Sequence, residues 1–446
     1  MLLSFRFANH RSFRDEQHLN LTPIYGSSGA DGSGAFEAVP VVGIFGANAS
    51  GKSNVVSAFD YVSRMVGTSD RESEPGIGPT RQPFRLDPNS SREPSSYVVD
   101  LMLDEVRFTY GFVLDDEKVL EEWLYSYPFR KKRVVFERTE QDFEWGEESR
   151  RSSIRRLTDI IAPTALFLSV SARFTSRGPT NQEPDETSAA LHAVFSWLWQ
   201  RMVRARALAT SPTMMAANFS RSLANPNRRA VVVDLLRAAD VGLRDVLVLE
   251  PEDDDDLLTQ VDRRGAEITK AEQDRIRRAA RREGRVQFLH HGAIGDVMLD
   301  LTDESSGTLR LLDLASRAIS VLERGGLLLV DEIDASLHPL LTASLVRLFG
   351  LAGVNRSHAQ LVFTSHDATL LGNLDGEEVL GRDQIWFTEK ADDGASTLFP
   401  LAEFKPRRQG ENRLRRYLNG SYGATPEISM RLFESALTSR LDADGD

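Results

Sequence analysis

The 446-residue sequence contains no cysteine. That excludes disulfides, thiolate metal centres and cysteine nucleophiles, and it fits a reducing compartment. No uninterrupted apolar stretch reaches the ~18–20 residues that a membrane-spanning helix requires. The opening residues, Met1-Leu2-Leu3-Ser4-Phe5-Arg6-Phe7, lack the basic flank and long apolar run of a signal peptide. We therefore expect a soluble, cytoplasmic chain with no membrane partner. An excess of positive charge is missing too: 54 Lys+Arg against 66 Asp+Glu give a formal net charge of -12. This argues against wholesale coating of nucleic acid and leaves room for local basic patches. Sustained heptads and internal repeats are also absent, so no long coiled-coil arm is expected.

What is present is a globular composition, 41% hydrophobic and 27% charged, in a chain long enough for more than one core. Leu2–Phe7 alternates like an edge strand, with a second strand expected near His18–Leu21. Gly26–Gly34 is Gly/Ser-rich and reads as a loop. Val41–Phe45 has the apolar, β-branched character of a buried central strand. A Gly-rich loop follows, then a helix from about Lys52 to Met65 with Val55, Val56, Phe59 and Val62 on one face; residues 68–94 read as loop. Between Tyr97 and Trp145 the period becomes two. Tyr97–Leu103, Val106–Leu114, Val119–Tyr127, Val134–Arg138 and Phe143–Trp145 form an expected antiparallel meander. Ser152 to Arg282 reads as mainly helical, with amphipathic helices at Glu186–Leu208 and Asn227–Ala239, an acidic run at Glu252–Asp256 and a basic helix at Lys270–Arg282. An α/β alternation resumes with strands at Val286–His290, Leu327–Val330, Gln360–Thr364 and Gln384–Thr388. Asn412–Ala436 reads as polar and helical, broken by Gly-Ser-Tyr-Gly-Ala, and Ser439–Asp446 as a tail. The expected division is residues 1–150, 151–285 and 286–446.

Gly46-Ala47-Asn48-Ala49-Ser50-Gly51-Lys52-Ser53 fits the P-loop pattern in full. Glycine at both ends lets consecutive backbone N–H groups curl around an anion without interference from a Cβ. Lys52 then reaches the β- and γ-phosphates as a point charge, and the Ser53 hydroxyl serves as a Mg²⁺ ligand. The following helix aims its positive N-terminus at the same oxygens. A purely structural glycine loop is the alternative, but the flanking buried strand and amphipathic helix are the context that phosphate binding demands.

Leu327-Leu328-Leu329-Val330-Asp331-Glu332 is an apolar strand ending in two acids. Asp331 can hold Mg²⁺ through water and Glu332 can polarise an attacking water; a surface Asp-Glu pair is the plainer alternative. Ile333 to Pro339 follows directly. Leu361-Val362-Phe363-Thr364-Ser365-His366-Asp367 is another buried strand ending in a polar cluster. His366 follows a core strand expected beside that of Asp331, from which it can donate to a γ-phosphate; a capping or core role is the alternative. Upstream, Glu304-Ser305-Ser306-Gly307-Thr308 opens a helix over Leu309–Leu322. Such a turn is either a second anion-binding helix end or an ordinary N-cap. If it lies across the sheet from the P-loop it cannot serve the same phosphate within one subunit, a geometric reason to expect a dimer.

The order of P-loop, Ser-x-Gly turn, Asp-Glu strand, Asp334 loop and His366 resembles the ABC-type ATPases, specifically the SMC/RecF/OLD branch. Asn9-His10-Arg11-Ser12-Phe13 is similar to that branch's N-terminal element, and Gly51-Lys52-Ser53-Asn54 to its P-loop ending. DEIDASLHP at Asp331–Pro339 and TSHDATL at Thr364–Leu370 look closest to bacterial AAA-family ATPases of the RloA and abortive-infection type. The similarity extends to the meander and to Tyr417–Pro426. It implies an α/β fold: an ABC-type P-loop ATPase head with an antiparallel β-meander and a helical insertion between the Walker A and Walker B lobes. It implies ATP and Mg²⁺ as ligands, bound by Gly46, Ala47, Asn48, Ala49, Ser50, Gly51, Lys52, Ser53 and Asn54, with Arg11 touching nucleotide. Ser306 and Gly307 would meet the partner subunit's γ-phosphate, Asp334 would form the D-loop, Glu332 would be the catalytic base and His366 the switch. Ser53, Asp331 and Gln82 would serve the metal. The signature turn is Ser-Ser-Gly-Thr instead of the transporter Ser-Gly-Gly-Gln, and from the short segment after His366 no nuclease domain of the OLD kind is expected.

Arg130–Arg133, Arg150–Arg156, Arg275–Arg285 and Arg407–Arg416 are basic clusters able to meet phosphate backbones, so nucleic acid stays among the expected partners. Interleaved acids and missing aromatic platforms favour a solvated or protein-facing surface. The leading expectation is an ATPase subunit that dimerises on ATP, as a homodimer or higher even oligomer, and controls a separately encoded, nuclease-like toxin in bacterial defence. The alternatives are a RecF-like ATPase acting directly on DNA and an ATP-gated scaffold with little turnover.

Overall fold

Every residue of strand Val41–Gly46 is buried, because parallel neighbours flank it on both sides. The computed structural model describes residues 1–25, 38–72, 78–147, 149–175, 185–205, 212–239, 242–249, 285–374, 376–407, 411–426, 429–430 and 435. The expected loop Gly26–Gly34, acidic run Glu252–Asp256, basic helix Lys270–Arg282 and tail Ser439–Asp446 lie outside them.

Strand Val41–Gly46 sits inside a six-stranded sheet ordered Ser396–Pro400, Ile385–Lys390, Val41–Gly46, Gln360–Thr364, Leu327–Val330, Met202–Ala205. All neighbours are parallel except the first pair. A seven-stranded antiparallel sheet runs Gln17–Asn20, Leu2–Ala8, Ser95–Leu103, Val106–Leu114, Val119–Tyr127, Arg133–Thr139, Asp142–Trp145. Helix Lys52–Glu72 joins the two, with Phe59 stacked on Phe5 at 4.0 Å. Helix Pro339–Gly350 helps to cover the other face of the parallel sheet through a cluster containing Phe45, Val346, Phe349 and Phe363. A third cluster lies under helices Pro212–Leu223, Pro226–Ala238 and Ser306–Arg324 and a three-stranded antiparallel sheet, Leu243–Leu249, Arg285–Gly292, Gly295–Asp300. Among the described residues no helix is long and apolar enough to cross a membrane.

Several elements differ from the sequence reading, which did not include strands Leu243–Leu249, Gly295–Asp300 and Ser396–Pro400. Strand Leu2–Ala8 is interior, not an edge, since it pairs on both sides. The helix begun at Lys52 continues to Glu72; its polar last turns are held by Ser69, which accepts the Leu166 amide at 3.1 Å, and by Asp70, which pairs with Arg173. The helix expected over Glu186–Leu208 stops at Ser196, and Trp197–Arg201 makes a wider turn into strand Met202–Ala205. That strand bonds to Leu327–Val330, and the available sheet edge overrides the local helical pattern. Strand Arg285–Gly292 belongs to the antiparallel three-stranded sheet, not to the α/β core.

Near the C-terminus, helix Arg413–Leu418 is followed by turns at Gly420 (φ +72) and Gly423 (φ +66), where the longer helix expected over Asn412–Ala436 breaks. Tyr417 and Tyr422 both stack on Phe387 at 5.5 Å, and Arg413 donates to the Leu380 carbonyl at 2.7 Å.

The meander is pinned to helix Phe167–Thr175 by one buried charge. Glu122 accepts the amides of Phe167 (2.6 Å) and Leu168 (3.0 Å) and the Tyr110 hydroxyl (2.9 Å), with Arg138 at 3.4 Å. Both charged side chains are fully buried. Burial pushes the Glu122 carboxyl up, while Arg138 and the hydrogen-bond donors pull it back. Removing Arg138 leaves a buried carboxylate without its counter-charge, so Arg138→Met is expected to lower stability by about 3–5 kcal/mol. The readout is a lower urea midpoint at unchanged slope.

Candidate nucleotide site

Three parallel strands carry the site at their C-terminal ends: Val41–Gly46, Gln360–Thr364 and Leu327–Val330. Beyond the first, the chain takes left-handed or otherwise positive φ at Gly46 (+154), Ala49 (+61) and Gly51 (+112) before entering helix Lys52–Glu72. A Cβ on Gly46 would stand 2.3 Å from the Thr388 carbonyl, and one on Gly51 would stand 2.7 Å from Ser396 Oγ. Both glycines are therefore demanded by close approach as well as by dihedral. Ser50 Oγ meets Thr388 Oγ1 at 2.7 Å, tying the loop to the neighbouring strand. Lys52 folds back over the loop, donating to the carbonyls of Gly46 (2.8 Å) and Ala47 (2.9 Å). Burial pulls its ammonium pKa down, while Glu332, Asp331 and Asp334 pull it back up. Asn48 and Ser53 are exposed, and Asn54 is half-buried.

Thr364 organises the acids. Its hydroxyl donates to Asp331 Oδ1 at 2.7 Å and accepts the Glu332 amide at 2.8 Å. Glu332 adopts φ +52, which turns the chain sharply after the strand and leaves its carboxylate exposed. His366 Nε2 lies 3.7 Å from Glu332 Oε1, and the His366 amide donates to Asp334 Oδ1 at 3.3 Å. Lys52, Asp331, Glu332, Asp334 and His366 are thus brought to one edge of the sheet.

Arg11 also reaches the loop, with its guanidinium 3.5 Å from Asn54 Oδ1; Asn54 in turn donates to Ser12 Oγ at 2.7 Å. Gln82, expected at the metal, here meets Arg11: its side-chain oxygen accepts Arg11 Nε at 2.5 Å and its carbonyl accepts the Arg11 amide at 2.7 Å. Its described polar contacts join it to neither Asp331 nor Ser53. Asn9 fixes this loop by accepting the Phe84 amide and donating to the Ser90 carbonyl, both at 2.8 Å. A groove of about 400 Å³, lined in part by Arg11, Ser12, Gln82, Phe84 and Lys390, opens beside the P-loop.

At helix Ser306–Arg324 the cap is Ser305, whose Oγ accepts the Thr308 amide at 3.0 Å. Ser306 is left exposed in the first turn. A Cβ on Gly307 would lie 2.9 Å from the Ser336 carbonyl, so glycine permits the Asp334–Ser336 loop to pass close by. Arg310, one turn on, donates to the Asp331 carbonyl at 3.4 Å. No described hydrogen bond or ion pair joins Ser305–Gly307 to the P-loop. The roles of Thr364, Thr388, Ser12 and Arg310 were missed by sequence reasoning; Thr364 and Thr388 carried a signal, a hydroxyl ending an expected strand, and Ser12 lay within the Asn9–Phe13 element.

The exposed Ser53 hydroxyl and the Asp331 carboxylate, with one oxygen held by Thr364, are hard oxygen donors of the kind Mg²⁺ takes. The curled loop with its buried lysine suits a polyphosphate. Residues 41–372 match the family described as "AAA domain, putative AbiEii toxin, Type IV TA system", more than half of the chain. The chain belongs to this family. This AAA-family chain is mixed α/β, with a mostly parallel six-stranded sheet that carries the P-loop turn beside a seven-stranded antiparallel sheet. No curated protein matches the sequence. Among solved structures it is similar to an SMC head domain from Thermotoga maritima (12% identity, 90% of this chain and 98% of that one, TM-score 0.41). It is also similar to an SMC head bound to the C-terminal winged-helix domain of ScpA (12% identity, 90% and 99%, TM-score 0.45). A third is an SMC head with an extended coiled coil bound to the C-terminal domain of ScpA, from Pyrococcus furiosus (13% identity, 91% and 97%, TM-score 0.39).

Gly46→Ala, which drives a Cβ into the Thr388 carbonyl, is expected to weaken Mg-ATP binding by about tenfold or more through strain of order 1–3 kcal/mol in the nest. Isothermal titration calorimetry on the folded variant measures it.

Proposed function

We propose that the chain binds and hydrolyses ATP, that two copies close on each nucleotide, and that this cycle controls a separately encoded effector. The meeting of Lys52, Asp331, Glu332 and His366 on adjoining strand ends carries the first part. Lys52 releases the Gly46 and Ala47 carbonyls and turns to the β- and γ-phosphates. Loop amides from Asn48 to Ser53 close around the same anion, and the Arg11 side supplies a further cation. Mg²⁺, when bound by Ser53 and Asp331, screens phosphate charge. Glu332 accepts a proton from the attacking water, and His366, beside it, donates to the departing phosphate oxygens. Asp334 fixes the His366 backbone.

Two features support shared sites. Ser305 has taken over the capping of its helix, which leaves Ser306 facing solvent. The helix packs on strands Met202–Ala205 and Leu327–Val330, the far side of the sheet from Val41–Gly46. A second copy, rotated about a two-fold axis, would set its Ser306 and Gly307 against the phosphate held by Lys52. The defence reading is supported by the description of the family, which places an AAA domain in a toxin–antitoxin system; a separate, nuclease-like effector is our own addition.

Glu332→Gln should bind ATP, lower turnover by about 10²–10⁴-fold and accumulate as a nucleotide-bound dimer in light scattering. Unchanged turnover would remove Glu332 from the base role. Lys52→Ala and Ser306→Arg should each be inactive, and mixing them should restore phosphate release, because one site of the mixed dimer is then intact. If the mixture stays inactive, sites are not shared. Co-purification of a neighbouring-gene product that becomes toxic only with the ATPase tests effector control.

A further inference from the structure

The face away from the nucleotide site carries a cleft of about 1520 Å³. Strand direction places it there. Arg201 leads into strand Met202–Ala205, and Ser357 and His358 lead into Gln360–Thr364, so these lining residues stand at the N-terminal ends of the parallel strands. Gly46, Asp331 and His366 stand at the opposite ends. The other walls are helix Glu186–Ser196 and the turn after strand Val119–Tyr127. Pockets that close over a small molecule occupy about 300–1,000 Å³, so this larger, open cleft suits a chain passing through.

The turn at its rim is built against local preference. Phe129 and Arg130 are successive non-glycine residues with φ of +55 and +62, and the Phe129 side chain is 96% exposed. Left-handed backbone at such residues costs on the order of 1–3 kcal/mol each. Leaving a phenylalanine in water forgoes about 1.5–3 kcal/mol of burial. Two penalties at one point keep a ring standing out into solvent.

Charge supplies a second, independent observation. Arg130, Lys131 and Arg201 are exposed, with no carboxylate at ion-pair distance among the described residues, in a chain of net charge -12. The same stretch presents aromatic faces to cations: Arg107 lies 5.2 Å over Tyr127 and Lys132 3.5 Å over Tyr125. With Tyr125 and Tyr127 covered by these cations, Phe129 is the aromatic face before the basic run that stays open to solvent. Asp104 and Glu105 occupy another part of the rim and would hold a polyanion to the Phe129–Arg201 side.

We propose that this cleft binds single-stranded nucleic acid, with a base stacked on Phe129 and backbone phosphates met by Arg130, Lys131 and Arg201. An exposed ring needs an exposed base face, which a duplex hides within its stack; an acidic peptide would use the cations and leave the ring idle. The site is separate from the ATP site and needs no nucleotide.

The test is fluorescence anisotropy of the nucleotide-free full chain with labelled single-stranded DNA or RNA at about 50 mM salt, where phosphate contacts are strong. Binding of either strand is expected, weakened about 5- to 100-fold by Phe129→Ala. Arg130→Glu should flatten the salt dependence, and both variants should keep wild-type ATP binding. No anisotropy change, equal affinity for a duplex, wild-type affinity in Phe129→Ala, or equally effective displacement by poly-glutamate would each overturn the proposal.

Discussion

The hydroxyl of Thr364 accepts the Glu332 amide and donates a hydrogen bond to Asp331, and the rest of the site is arranged around that pair of bonds. One small side chain fixes both acids relative to the strand that leads to His366. The parallel register extends the alignment, because Thr364 pairs with Ile44, two residues before the first glycine of the cradle. Thr388, paired with Gly46 on the other side, holds Ser50. Hydroxyls ending buried strands thus tie loops that share no sequence proximity. Glycine at Gly46 and Gly51 is what lets the cradle come close enough for these ties to form.

Where one physical constraint dominated, the sequence was legible. The meander strands from Ser95 to Trp145 are short β-rich runs split by polar turns, and the observed ends differ by at most two residues from those expected. The P-loop turn was legible because positive φ and close approach at Gly46 and Gly51 restrict residue type at fixed spacing, and the acid strand because its four apolar residues are all buried. Met202–Ala205 was not, since its apolar spacing serves a helix as well as a strand and only a distant partner, Leu327–Val330, decides between them. Strand Arg285–Gly292 shows the same limit: its existence was readable, but its hairpin partners were not. The place of Gln82 was not legible either, because a loop glutamine carries no periodicity and its contact with Arg11 depends on how Asn9 anchors that loop.

The two faces of the parallel sheet's ends have opposite characters. At the C-terminal ends the backbone bends are matched by internal ties, such as Glu332 to Thr364 and His366 to Asp334. At the N-terminal ends Gln360 clamps Leu2 through both its amide atoms, at 2.5 and 2.9 Å, and so joins the antiparallel sheet to the parallel one. Phe129 and Arg130 lie beyond that clamp, with their unusual dihedrals unmatched by any burial of the ring.

The C-terminal turn sits closer to the phosphate cradle than its place in the chain suggests. Tyr417 and Tyr422 cover Phe387, and the next residue, Thr388, is the one that grips Ser50. A chain cut before Arg413 would wet one side of the Phe387 ring and strip Leu380 of its guanidinium partner. The segment from Arg413 to Tyr422 therefore acts as a wedge behind the loop that begins at Gly46, and its removal would loosen a cradle far upstream in the chain.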